Sequence, residues 1–289
     1  MSSIARTDNE NRVLDELLMP VITSRLVEMG ERNADAYRSA DPFPHIVIDD
    51  FLPPEVLNKV VNEFPAPHQL QWRKFDGEEE RKLEFRVAEK LPAHSRDLLY
   101  FLNSAPMLEF LEKLTGINGL IPDPHFIGGG LHQIERGGYL GVHADFNKLD
   151  RLRLDRRLNL LLYLNHDWKD EYGGHLELWN RSMTECVRKV LPSFNRCVVF
   201  STTDEAFHGH PLPLECPKGL TRKSVAIYYY TNGRPEEEHS DSHDTLFKTR
   251  PGPASTRSSK LGRLTRKTVR ALLPPVITDI YYHLRSRRR

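Results

Sequence analysis

A histidine and an aspartate stand two positions apart, at His143 and Asp145, after the glycine-rich approach ERGGYLGV. On a β-strand, residues two apart project from the same face, so this imidazole and carboxylate would point together into whatever that face encloses. A second histidine, His208, lies downstream in the stretch AFHGHP. Two histidines and one carboxylate on a β scaffold form the facial triad that holds Fe(II) and leaves coordination positions open. The sequence therefore predicts a metal site at these three residues.

A second candidate group lies in the strand-like run RKSVAIYYY, where Arg222 and Ser224 share one face by the same period of two. An arginine buried on an inward face needs an anion, because an unpaired buried charge is costly. Its planar fork suits a carboxylate, and a hydroxyl two residues on can add a hydrogen bond. A carboxylate of this chain would serve equally well, so the pattern alone leaves open whether the partner is a ligand.

These residues fall in a region of short β-type runs between Ile127 and Thr231. Such runs, separated by turn residues and preceded by helices, indicate an antiparallel sandwich or barrel with helical support. The seven runs are GLHQIE, GYLGVHADF, LNLLLYLN, GHLELWN, ECVRKVL, RCVVFS and KSVAIYYYT.

Upstream, spacings of three and four between apolar residues predict helices. The predicted helices cover 9–31, with a kink or break at Pro20, the residues that Pro53 and Pro54 introduce, and 105–115. HIVIDDF (45–51) alternates like a half-buried strand. The stretch from Asn33 to Pro44 is polar and turn-rich, and no element is predicted over 73–89.

The charges divide along the chain. The 289 residues carry 41 Lys plus Arg and 40 Asp plus Glu, a net charge of +1 that argues against a general nucleic-acid binder. Residues 251–289 contain ten basic residues and one acid, so this tail carries +9 and the remainder −8. The tail could be solvated, dock on the acidic body, or contact an anionic membrane surface, a partner or nucleic acid.

The same composition limits the compartment and the covalent chemistry. Three cysteines without a C-x-x-C pair do not suggest a disulfide scaffold or a structural zinc site. The N-terminal residues are polar where a signal peptide would need an apolar core, and no run approaches the length of a membrane span. We therefore expect a cytoplasmic protein.

Taken together, the motifs resemble those of the Fe(II)- and 2-oxoglutarate-dependent oxygenases, in the prolyl 4-hydroxylase-like branch. That family combines H-x-D, a distal histidine within an aromatic-His-Gly triplet, and an Arg or Lys on the following strand, often as R-x-S. The segments LLYLNHDWKDEYGGHLELW (161–179) and PFPHIVIDDFLPPEVLNKVVNEFP (42–65) are also similar to family segments. The resemblance covers residues 42–232.

The resemblance implies an α+β protein whose core is a double-stranded β-helix, or jelly roll, of antiparallel strands. We expect an N-terminal helical extension (1–41), the dioxygenase domain (42–232), and a linker with a basic helical tail (233–289). His143, Asp145 and His208 would bind Fe(II), with O2 as the oxidant and L-ascorbate as a reductant. A further group would bind 2-oxoglutarate, namely Arg222, Ser224, Tyr163 and Gln133.

The activity implied is hydroxylation of a C–H bond in a small-molecule or peptidyl substrate, with release of succinate and CO2. The oligomeric state cannot be read from these motifs. His210 is an alternative to His208, and Lys223 to Arg222. A cupin-like isomerase or ligand-binding module could use the same metal site without activating oxygen. A third hypothesis is that the acidic body has no catalytic activity and that the basic tail (251–289) carries the function.

Overall fold

The structure is a computed structural model, and it describes residues 19–248. The α-helices in this part of the chain are α1 (Met19–Arg38), α2 (Pro54–Glu63), α3 (Ala93–Leu102) and α4 (Ala105–Thr115). The strands are β1 (His45–Ile48), β2 (Arg73–Asp76), β3 (Glu80–Phe85), β4 (Ile121–Pro122), β5 (Gly130–Ile134), β6 (Tyr139–Ala144), β7 (Lys148–Leu149), β8 (Leu154–Tyr163), β9 (Leu176–Trp179), β10 (Cys186–Val190), β11 (Arg196–Ser201), β12 (His208–His210), β13 (Arg222–Thr231) and β14 (Leu246–Phe247).

The strands form one antiparallel sheet. Its hydrogen-bonded order is β1-β11-β8-β13-β5-β3-β6-β12-β9-β10, with β2, β4, β7 and β14 paired at the sides. The sheet curves until the side chains of β9 and β10 reach those of β11, where Leu176, Val190 and Phe200 share one buried apolar cluster. This nearly closed barrel confirms the predicted jelly-roll core.

The alternation of side chains on β8 separates the two faces of the barrel wall. Leu158, Leu160 and Leu162 point outward and join the large core cluster that the helices cover, whereas Asn159 and Leu161 line the interior. The outer face therefore supplies most of the hydrophobic stabilisation, and the inner face is left for polar groups.

Helix α1 extends past its predicted C-terminal end at residue 31. The kink or break predicted at Pro20 also involves residues before 19, which lie outside the described residues, so it stays a prediction. The helix continues to Arg38 through a stretch predicted as turns, because Tyr37 is buried with the core. Gly30 allows α1 to approach α4 closely, since a Cβ there would lie 2.7 Å from the Phe110 carbonyl oxygen.

Two segments without a predicted element are structured. Residues 73–85 contain the β2–β3 hairpin, which is part of the barrel wall. Residues 240–248, predicted as part of a linker, lie along the barrel: β14 pairs with β6, and the Asn147 side chain donates to Ser240 Oγ at 2.8 Å. His243 Nε2 lies 2.8 Å from Asp204 Oδ1. Hydrogen bonds between residues this far apart in the chain leave no trace in hydrophobic periodicity.

The two ends of the chain bear on several predictions. Residues 9–18 of the predicted N-terminal helix and the basic tail at 251–289 lie outside the described residues. Between residues 19 and 248, the helices are all too short or too polar to cross a membrane. The predicted domain boundaries at 41 and 232 stay predictions.

Candidate metal centre and adjoining cavity

His143, Asp145 and His208 come together where β6 and β12 pair. His208 and His143 are direct partners in the β6–β12 register, and their ring centroids are 4.5 Å apart. His143 Nε2 lies 3.5 Å from Asp145 Oδ1, and His208 Nε2 lies 3.4 Å from Asp145 Oδ2. One ligand atom from each residue falls within 4.8 Å of the others. The three predicted residues thus form one compact donor group.

A hydrogen bond from Nδ1 to a backbone carbonyl fixes the orientation of each imidazole ring. His143 Nδ1 donates to the Gly141 carbonyl at 2.8 Å, and His208 Nδ1 donates to the Ala206 carbonyl at 2.9 Å. These hydrogen bonds assign the proton to Nδ1 and leave the Nε2 lone pairs facing the carboxylate. Burial lowers the pKa of His208 to about 4, so its ring is neutral near pH 7. This donor set fits a divalent transition-metal ion.

Asp145 is held by two side chains that sequence reasoning did not identify. Arg156 Nη2 donates to Asp145 Oδ2 at 3.0 Å, and Asn159 Nδ2 donates to the same oxygen at 2.6 Å. Burial opposes ionisation of Asp145, but Arg156 and His208 together hold its pKa well below the usual range. The carboxylate is therefore charged and oriented, with Oδ1 free of these two donors.

Arg156 reaches the interior because of an irregularity in β8. The pairing of β8 with β13 shifts between Tyr229 and Tyr230, so that Tyr229 faces Leu158 while Tyr230 faces Arg156. Such a bulge reverses the alternation, and Arg156 and Asn159 then both line the cavity although they are three residues apart. The guanidinium lies 3.4 Å from the Tyr228 ring centroid, which adds a cation–π contact.

Arg222 and Ser224 line the same cavity, as the period of two predicts. Arg222 is 5% exposed, and its Nε donates to the Gly174 carbonyl at 2.8 Å. Its Nη2 donates to the Tyr163 hydroxyl at 3.3 Å, so the predicted Tyr163 lies behind the guanidinium. No ion pair joins Arg222 to a carboxylate among residues 19–248, and burial lowers its pKa. Its neighbour Lys223 is absent from the cavity wall.

Two other candidates from the sequence are placed differently. Gln133 points away from the cavity and donates to the Pro65 carbonyl at 3.0 Å, whereas its neighbours His132 and Ile134 line the cavity. The reason is the alternation of β5, whose phase the sequence does not fix. His210 lines the cavity with neither ring nitrogen hydrogen-bonded, but it is not part of the donor group around Asp145.

The cavity that joins these groups has a volume of about 290 Å³. The metal donors lie on its β6–β12 side, and Arg222 and Ser224 reach it from β13. Strand β3 adds a third wall with three charged side chains, Glu80, Lys82 and Glu84. The cavity therefore offers a metal site, an anion site and a charged wall side by side.

The sequence and the fold are both similar to those of known proteins. Residues 129–230, which contain the donor group and Arg222, match the sequence model of the 2OG-Fe(II) oxygenase superfamily. The fold is similar to that of a Pseudomonas putida prolyl-4-hydroxylase, with a TM-score of 0.51 and 17% identity over 72% of this chain and 100% of that one. No curated protein sequence matches the chain significantly.

Two further solved structures are similar at lower scores. One is a Trichoplax adhaerens prolyl hydroxylase in complex with a hypoxia-inducible-factor peptide fragment, with a TM-score of 0.48 and 16% identity over 74% of this chain and 93% of that one. The other is HygX from Streptomyces hygroscopicus with nickel and 2-oxoglutarate, with a TM-score of 0.46 and 14% identity over 71% and 94%.

Proposed function

Residues 129–230 belong to the 2OG-Fe(II) oxygenase superfamily, and from that premise we propose that this 2-oxoglutarate-dependent dioxygenase hydroxylates a C–H bond, releasing succinate and CO2. The substrate we propose is a small molecule or a peptidyl side chain, as in prolyl-hydroxylase-like enzymes. Metal binding falls to His143, Asp145 and His208. We also propose L-ascorbate as the reductant and the cytoplasm as the compartment.

One observation carries the proposal. A charged guanidinium, Arg222, is buried in the same cavity as the metal donor group, without a carboxylate partner among the described residues. A buried cation in this state calls for an anion, and 2-oxoglutarate brings two carboxylates, one for the metal and one for Arg222. The cupin-like alternative needs the metal donors but gives Arg222 no role.

The roles of this chain's residues follow from their contacts. Arg222 would pair with the distal carboxylate of 2-oxoglutarate, while Ser224 adds a hydrogen bond and Tyr163 keeps the guanidinium in place. Arg156 and Asn159 keep the Asp145 carboxylate turned toward the two imidazoles. When bound, the ferrous ion and 2-oxoglutarate would activate O2, which is the oxidant, and the barrel wall would shield the site from bulk water.

The experiment that tests the proposal uses the metal and the cosubstrate together. Fe(II) and 2-oxoglutarate, added without oxygen, should give a visible charge-transfer band, and admission of O2 should couple oxygen uptake to succinate formation. A His143→Ala, Asp145→Ala double variant should lose both signals. A band that persists in the double variant would overturn the metal assignment, and a band without succinate after O2 would favour the cupin-like reading.

A further inference from the structure

Strand β3 presents a charged face to the cavity. Glu80, Lys82 and Glu84 line it, whereas the alternating residues Leu83 and Phe85 point outward into the hydrophobic core. Side chains at positions two apart on a strand share one face, so the three charges form a row along the cavity wall. A row of charges on an inner face is costly unless each one is compensated.

Most of the charges in the cavity have a partner. Glu80 Oε2 lies 3.0 Å from Lys82 Nζ, and Asp145 is paired with Arg156. Under the function proposed above, Arg222 takes the distal carboxylate of 2-oxoglutarate. The least completely paired charge on the wall is that of Glu84, whose nearest cation is Arg73.

Glu84 is buried and incompletely paired. Its side chain is 3% exposed, yet Oε1 makes no hydrogen bond. The nearest cation is Arg73, whose Nη1 lies 3.5 Å away and whose side chain is 62% exposed, so solvent screens this contact strongly. A buried carboxylate oxygen without a donor costs free energy that a donor from a ligand would recover.

A second unpaired acceptor lies beside Glu84. His132 is its direct cross-strand partner on β5, and His132 Nε2 is buried without a hydrogen bond. Burial, the largest cause, together with Lys82, lowers the pKa of His132 to about 3, so the ring is neutral. In the tautomer that carries its proton on Nδ1, Nε2 is an acceptor without a partner. Two adjacent acceptors therefore face the cavity and no donor satisfies them.

We propose that Glu84 and His132 form the substrate-binding subsite, and that it takes the ammonium group of a small polar amine. An ammonium supplies several donors and a compensating positive charge, whereas a hydroxyl supplies one donor and no charge. The cavity of about 290 Å³ must also hold 2-oxoglutarate, which limits the substrate to a small molecule or one side chain. This inference rests on the proposed function, since it assumes that the cosubstrate occupies Arg222.

The test measures binding to the Fe(II)–2-oxoglutarate complex without oxygen, through the change that a second ligand causes in the charge-transfer band. The ligands are pairs in which a hydroxyl replaces the ammonium group: 1,4-diaminobutane with 1,4-butanediol, cyclohexylamine with cyclohexanol, and glucosamine with glucose. The wild-type protein should bind the cationic member of at least one pair about tenfold more tightly or better, as a charge-assisted hydrogen bond predicts. Glu84→Gln should reduce that preference to about twofold or less.

Matched variants keep the outcome interpretable. Glu80→Gln removes a carboxylate from the same row that already has a partner, so it should retain the preference. Glu84→Asp keeps the charge and should retain part of it, and thermal unfolding shows that each variant is folded. The inference is overturned if no cationic member is preferred by the wild type, or if Glu84→Gln keeps the preference. If the band itself is absent from the wild type, the proposed function has failed instead.

Discussion

Replacing Arg222 with methionine separates two roles that a buried guanidinium can have. Arg222 donates to the Gly174 carbonyl and the Tyr163 hydroxyl, but it has no carboxylate partner among residues 19–248. A structural arginine would destabilise the fold when removed, whereas an arginine that waits for an anion would affect binding alone. We expect Arg222→Met to abolish tight binding of 2-oxoglutarate and to leave the stability of the ligand-free protein nearly unchanged.

The magnitudes follow from the contacts. Losing two hydrogen bonds from a charged donor costs about 3–6 kcal/mol in total. Removing a buried charge that has no counter-ion recovers several kcal/mol, so the net change in the free energy of unfolding should stay within about 2 kcal/mol. Breaking a buried ion pair between Arg222 and a ligand carboxylate costs about 3–5 kcal/mol, or two to four orders of magnitude in the dissociation constant.

Thermal unfolding with Mn(II), with and without 2-oxoglutarate, measures both effects. At about 100 times its dissociation constant the ligand stabilises the wild type by about 2.7 kcal/mol, a shift of roughly 5–10 °C for a domain of this size. Arg222→Met should show no shift at the same concentration, and Lys223→Met, the neighbouring cation, should keep it. A retained shift in Arg222→Met, or a loss of more than about 4 kcal/mol in its ligand-free stability, would refute the reasoning.

Three further changes have definite expectations. Arg156→Leu removes the ion pair from Asp145 and should weaken Mn(II) binding about tenfold or more, as measured by calorimetry, with Arg157→Leu as the adjacent control. His132 has a pKa of about 3 in the folded protein and about 6.5 in the unfolded chain, so the free energy of unfolding falls as the pH drops below 6.5. His132→Asn should reduce this pH dependence, measured by urea denaturation, by about 1.4 kcal/mol per pH unit between about pH 5.5 and 4. Gly30→Ala should cost about 1–3 kcal/mol in chemical denaturation, because its Cβ would clash with the Phe110 carbonyl, and an unchanged midpoint would contradict that packing.

The parts of the site that could be predicted are those that depend on spacing alone. His143 lies on β6 and Asp145 directly follows that strand, two residues further on. Arg222 and Ser224 are also two residues apart, on β13, so strand alternation is sufficient to place each pair on one face. The fold class followed from the same information, since short runs with turn residues favour an antiparallel barrel.

The parts that could not be predicted depend on pairing across the chain. Arg156 enters the cavity only because β8 and β13 pair with a bulge, and one sequence carries no mark of that shift. Gln133 faces outward and His132 inward because β5 pairs with β3 and β13 in one register, and a one-residue change would exchange them. The row on β3 left only a short signal, since Lys82 and Glu84 alternate with Leu83 and Phe85 but Arg81 interrupts the pattern.

The β6–β12 pairing has a consequence for the lifetime of the protein. Strand β12 is three residues long, and its register with β6 rests on His208 with His143 and His210 with Leu140. The two imidazoles that would share one metal ion therefore lie on two different strands, joined by this short pairing. A bound ion would stabilise the pairing of β12 with β6. Without the ion, β12 would separate from β6 before the rest of the barrel unfolds and would expose the chain to proteases. We expect the abundance of the protein in a cell to fall when iron is scarce, before any change in its synthesis.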